Sequence, residues 1–111
     1  MLVIVELLAF PTRGLFRLVA IPLPVEEAKK RPLLEVLETV FKYGQNDIQP
    51  RVGCCSVSTG DVIELCIDKK ELYVITSCGF KQLTEQELKD YEKLPVRDRY
   101  WKYADSENCV K

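Results

Sequence analysis

Apolar residues fall in two rhythms along this chain. The first ten positions are nearly all apolar: Leu2, Val3, Ile4, Val5, Leu7, Leu8, Ala9 and Phe10, with Glu6 alone among them. A run of that kind predicts a strand buried on both faces, over residues 2–10. Pro11-Thr12-Arg13-Gly14 is a turn cluster, and Leu15 to Ile21 reads as a second strand, stopped by Pro22 and Pro24. A reversal this short predicts an antiparallel hairpin. Val25 to Arg31 is polar and reads as a loop with one turn of helix. From Pro32 the rhythm becomes helical. Leu33, Leu37, Val40 and Phe41 stand at i, i+4, i+7 and i+8, while Glu35, Glu38 and Lys42 fall on the other side. Proline suits the first helical position because its missing N–H has no partner to lose. Gly44 stands where a left-handed cap is expected, so a helix is predicted over 32–43.

Gln45 to Arg51 has the composition of an exposed loop. Beyond it the period shortens to two. Val52 to Val57, Val62 to Ile67 and Leu72 to Cys78 read as a three-strand meander, reversed at Ser58-Thr59-Gly60-Asp61 and at Asp68-Lys69-Lys70. In the second of these, Ile63, Leu65 and Ile67 share a face opposite Glu64. The last helix has a defined start. Thr84 and Glu87 form a capping box, and Leu83 and Leu88 flank it as a hydrophobic staple. That helix ends near Lys93, before Pro95. The order β-β-α-β-β-β-α predicts an α+β fold with a mostly antiparallel sheet. It spans 1–111 as a single domain with 95–111 as a C-terminal tail. The pattern leaves open whether the sheet closes into a small barrel.

Composition narrows the function more than the fold. Sixteen bases against seventeen acids leave a net charge of −1, without the basic surplus that phosphate-backbone binding requires. Nucleic acid is therefore not the expected partner. The apolar start lacks a preceding basic region, is interrupted by Glu6 and is shorter than the roughly 20 residues of a membrane helix. It is read as mature structure, with no membrane partner. Five cysteines cannot all pair within one chain. Cys54 and Cys55 are adjacent, and Cys66, Cys78 and Cys109 lie scattered among apolar residues. A reduced, cytoplasmic protein is expected, with one of the adjacent pair in the core and one near the surface.

Candidate chemistry is limited. The chain has no histidine, which removes Ser-His-Asp and Cys-His nucleophile systems and imidazole ligands. No cysteine pair has the C-x₂₋₄-C spacing of a zinc site or the C-x-x-C of a redox pair. Gly14, Gly44, Gly53, Gly60 and Gly79 are isolated and form no phosphate cradle. Asp61 is read as a turn-fixing residue that accepts backbone hydrogen bonds. The expectation is a protein with no catalytic residues, no metal and no cofactor. What stands out instead is Arg97-Asp98-Arg99-Tyr100-Trp101-Lys102-Tyr103. Aromatic residues and arginine dominate protein-binding hot spots, so Arg97, Arg99, Tyr100, Trp101 and Tyr103 are the candidate partner-binding residues. The same interleaving also suits stacking on single-stranded bases, which makes a small nucleic-acid-binding module the alternative. Packing over the sheet is the structural alternative.

Ser56-Val57-Ser58-Thr59-Gly60-Asp61-Val62-Ile63, then Tyr73-Val74, then Cys78-Gly79-Phe80-Lys81-Gln82-Leu83, resembles the C-terminal part of YodL-like domains. These occur in small proteins of phages, plasmids and integrated elements. The similarity covers about residues 40–84. No activity of such proteins attaches to particular residues. The resemblance implies a mobile-element setting, in which small proteins often bind and block a host protein. The expected function is thus a non-enzymatic, protein-binding accessory protein, with inhibition of a host defence system as one form of it. A host protein is the expected partner, and homo-oligomerisation stays open.

Overall fold

The first strand of the chain lies inside the sheet, paired on both sides. The computed structural model describes residues 1–10 and 15–111. Its elements are β1 (Leu2–Glu6), β2 (Phe16–Ala20), α1 (Val25–Ala28), α2 (Leu33–Tyr43), β3 (Val62–Cys66), β4 (Lys70–Ile75), β5 (Phe80–Leu83), α3 (Glu85–Glu92) and α4 (Val96–Lys102). The strands form one antiparallel sheet in the order β2-β1-β3-β4-β5. The sheet is open, with β2 and β5 as its edges, and it is not a barrel. The α+β class and the antiparallel sheet are as expected. The turn predicted at Pro11-Thr12-Arg13-Gly14 lies outside the described residues.

One face of the sheet carries Val3, Val5, Val19, Ile63, Leu65, Tyr73 and Ile75. Val36, Leu37 and Val40 of α2 pack on it, with Ala28 of α1 and Val57. The other face carries Val62, Leu72, Val74 and Leu83, covered by Leu88 and Tyr91 of α3 and by Tyr103. The covering stops at β3. Along the register Leu18, Ile4, Glu64, Leu72 and Leu83 stand side by side. Their exposure falls from 51% at Leu18 through 37% at Ile4 to 4% at Leu72 and Leu83. The outer face of β1 and β2 is bare apart from Glu6 at the end of β1, which meets Glu92 of α3.

Several expectations are corrected here. The opening strand ends at Glu6 and is buried on one face only, because Leu2 and Ile4 look onto the bare side. Leu7, Leu8 and Ala9 are buried without being strand. The helical face of α2 is Leu33, Val36, Leu37 and Val40; Phe41 lies at its margin and is exposed. Gly44 is not left-handed, with φ −80°. Its lack of a side chain serves packing: a Cβ there would stand 2.5 Å from Cγ2 of Val57.

Residues 52–57 form no strand. Their polar groups pair outside any ladder: Nδ2 of Asn46 donates to the Cys54 carbonyl, the Arg17 guanidinium to the Cys55 carbonyl, the Asn46 backbone N–H to Oγ of Ser56, and the Val57 N–H to the Gly44 carbonyl. Gly53 turns the segment with φ +80°. Cys54 and Cys55 are both half-buried, so neither is in the core. The third strand of the meander is instead β5. Thr76 makes that reversal: its N–H donates to the Gly79 carbonyl, and its Oγ1 accepts from the N–H groups of Cys78 and Gly79. The α3 capping box forms as expected, at 3.1 Å and 3.0 Å. The tail is partly helical, and it docks onto the domain.

Candidate functional site

The Ser58-Thr59-Gly60-Asp61 motif positions the C-terminal helix. Gly60 sits at φ +95°, a region that only glycine enters cheaply. A Cβ there would lie 3.1 Å from Cβ of Ala9, 3.2 Å from Oη of Tyr91 and 3.4 Å from Cα of Tyr100. Thus the segment after β1, α3 and α4 all converge on this one residue. Asp61 is buried. It accepts from the N–H of Ala9 at 3.0 Å and of Ser58 at 2.9 Å, which bears out its turn role. Burial pushes its carboxyl up to about 6, against the lowering effect of those backbone donors. Tyr91 reaches across from α3. Its hydroxyl is 2.6 Å from the Gly60 carbonyl oxygen and 2.8 Å from that of Arg99, the proton being shared between them. Burial holds this phenol well above its ordinary pKa.

The five candidate residues divide in two. Arg99 and Tyr103 are built into the domain. The Arg99 guanidinium donates to three carbonyls: Nε to Leu94 at 3.1 Å, Nη1 to Leu8 at 3.2 Å and Nη2 to Glu92 at 2.8 Å. It ties α4 to α3 and to the segment after β1. The Tyr103 ring meets Tyr91 edge-on at 5.2 Å, with Nζ of Lys81 5.6 Å from its centre. Arg97, Tyr100 and Trp101 face outward together. Trp101 is 71% exposed. Its ring contacts Tyr100 edge-on at 4.7 Å, and Tyr100 in turn lies 6.3 Å from Phe10. These three residues with Ala9, Phe10 and Val96 line an apolar cleft of about 470 Å3. Phe10 and Val96 are themselves exposed. The sequence reading missed both, because Phe10 is distant in the chain and was assigned to a buried strand.

A second feature lies where α3 meets β1. Burial and a hydrogen bond to the Glu92 carboxylate push the Glu6 carboxyl up to about 8, with Arg99 opposing them. Among the described residues no group of three or more Cys, Asp or Glu side chains is arranged to hold a metal ion, and no helix is long and apolar enough to cross a membrane. No protein-family model matches the chain, and neither a curated protein nor a solved structure matches it significantly.

Proposed function

We propose that this chain works by contact and not by turnover: it is a protein-binding protein whose anchor is the cleft between Phe10 and α4. The observation that carries this reading is Trp101, left 71% exposed at the rim of an apolar cleft that also shows Phe10 and Val96. Burying such a side chain is a main source of interface energy, and tryptophan and arginine are the commonest anchors. Arg97 stands at the same rim with no ion pair among the described residues. The fitting partner is a protein segment that puts an apolar side chain into the cleft and a carboxylate beside Arg97. The resemblance of residues 40–84 to YodL-like domains supplies the setting: an accessory protein of a phage or mobile element, meeting a host protein in the cytoplasm, with a defence component as the target class.

The test is to isolate the host protein held by the immobilised chain and titrate it, purified, against variants. Trp101→Ala and Val96→Asp should each weaken binding about tenfold or more without lowering the melting temperature. Unchanged affinity in both would overturn the assignment of the cleft. Single-stranded DNA binding that falls steeply with salt and is lost in Trp101→Ala would favour the nucleic-acid alternative.

A further inference from the structure

The bare half of the sheet is a step. On the outer face, α3 covers β3, β4 and β5, while β1 and β2 present Leu2, Ile4, Phe16 and Leu18 to solvent. Leu2 and Phe16 are 64% and 57% exposed. A contiguous apolar surface of several hundred Å2 marks an interaction site on a soluble domain. The charged groups lie at its inner boundary: Glu6, and Glu64 paired with Lys70 at 3.1 Å.

We infer that this face is where two copies of the chain meet, as a two-fold sandwich of the bare β1–β2 halves. The shape of the step favours a second copy. A helix about 10 Å across raises α3 above the sheet by about the spacing of two packed sheets. When a copy related by a two-fold axis sets its own β1–β2 half onto this one, its sheet lies level with this α3. Its α3 then lies level with this sheet, outside β2. Each helix closes the open side of the other copy's step. The interface is isologous, with the same side chains contributed twice. The area is sufficient: the exposed patch taken twice, with the two helix–edge contacts, reaches roughly the 1,000 Å2 at which specific interfaces begin.

Packing by faces also fits the edge better than adding strand to strand. Met1 and Ile21 exchange backbone bonds at 3.0 Å and 2.9 Å. By the antiparallel alternation, Phe16, Leu18 and Ala20 therefore direct their backbone groups away from β1. At Ala20 both groups are already taken, by the side-chain amide of Gln49 at 2.9 Å and 2.8 Å. Among the described residues of β2 only Phe16 and Leu18 are left for an added strand, too short a stretch to hold one. Face packing leaves the Gln49 contact undisturbed.

The experiment is sedimentation equilibrium of the full chain up to about 1 mM, for the wild type, Leu18→Glu, Leu18→Thr, Phe16→Thr and Trp101→Ala. The wild type should show a reversible monomer–dimer equilibrium. Each change at Leu18 or Phe16 should weaken it about tenfold or more, since each removes a buried apolar side chain from both halves of the interface. Threonine keeps strand propensity, so the two threonine variants decide the matter should Leu18→Glu fail to fold by circular dichroism. Trp101→Ala should dimerise as the wild type does, which separates this surface from the α4 cleft. A wild type that stays monomeric across the range overturns the inference. So does a dimer that survives the changes at Leu18 and Phe16, or one lost in Trp101→Ala and retained in Leu18→Thr.

Discussion

Gly60 combines two demands that no other residue meets. Its φ of +95° is strained for any side chain, and Ala9, Tyr91 and Tyr100 crowd the place where a Cβ would stand. Gly60→Val should therefore cost at least about 1 kcal/mol, more than the backbone angle alone implies. Urea denaturation measures it, and an unchanged midpoint would remove the role given to this turn. Glu6 carries a second expectation at this scale. Burial and the neighbouring Glu92 push its carboxyl from an ordinary 4.5 up to about 8 in the folded protein. The folded protein then holds a proton that the unfolded chain releases, so stability falls as pH rises between those values. Asp61 adds a slope of the same sign, confined to the range from 3.8 to about 6. Glu6→Gln should flatten the dependence between about pH 6.5 and 8.5. Equal slopes in the variant and the wild type would show that Glu6 ionises normally.

Elements whose signals are local were legible before the fold was known. Thr84 and Glu87 are three residues apart and need only each other, and the capping box forms as the spacing demands. Residues 52–57 had the composition of a strand, yet Arg17 and Asn46 reach in from elsewhere and take the backbone groups a ladder would use. Conversely, Phe80-Lys81-Gln82-Leu83 is short and half polar, and becomes a strand because Leu72 to Ile75 of β4 offer it a register. Nothing in either segment alone discloses this. The same holds at the candidate site. An aromatic-basic cluster was visible, but the three carbonyls that occupy Arg99 include that of Leu8, far away in the chain. On α2 the spacing chose the right face and misjudged its margin. Leu37 is wholly buried and Phe41 is 36% exposed. Leu37→Ala should cost about 2–5 kcal/mol, and Phe41→Ala should stay below about 1 kcal/mol. Thermal denaturation of the two variants, side by side, tests whether the face is placed correctly.

Across the whole molecule, Tyr91 joins Arg99 in linking α4 to the sheet. Its hydroxyl holds the Gly60 turn of the sheet and the backbone of α4 at once. Tyr91→Phe keeps the ring packed against Tyr103 and removes only those bonds. A loss of about 1 kcal/mol is expected. Amide exchange should quicken in residues 94–104 while β3 and β4 stay protected. Uniform acceleration through the sheet would mean that α4 is not a separately opening unit.

The place of β1 in the middle of the sheet has a consequence in time. β2 can pair with β1 across one short reversal, and β3, β4 and β5 can pair in succession, so each half assembles from neighbours in sequence. In the sheet the two halves meet where Ile4, Val5 and Glu6 pair with Glu64, Ile63 and Val62. Closing a loop of that length is an entropic toll that local pairings avoid. The joining of β1 to β3 is therefore the expected slow step of folding, and substitutions at Val5 or Ile63 should slow refolding more than changes confined to either half. A chain emerging from the ribosome has no partner for the second side of β1 until residues 62–66 have been synthesised.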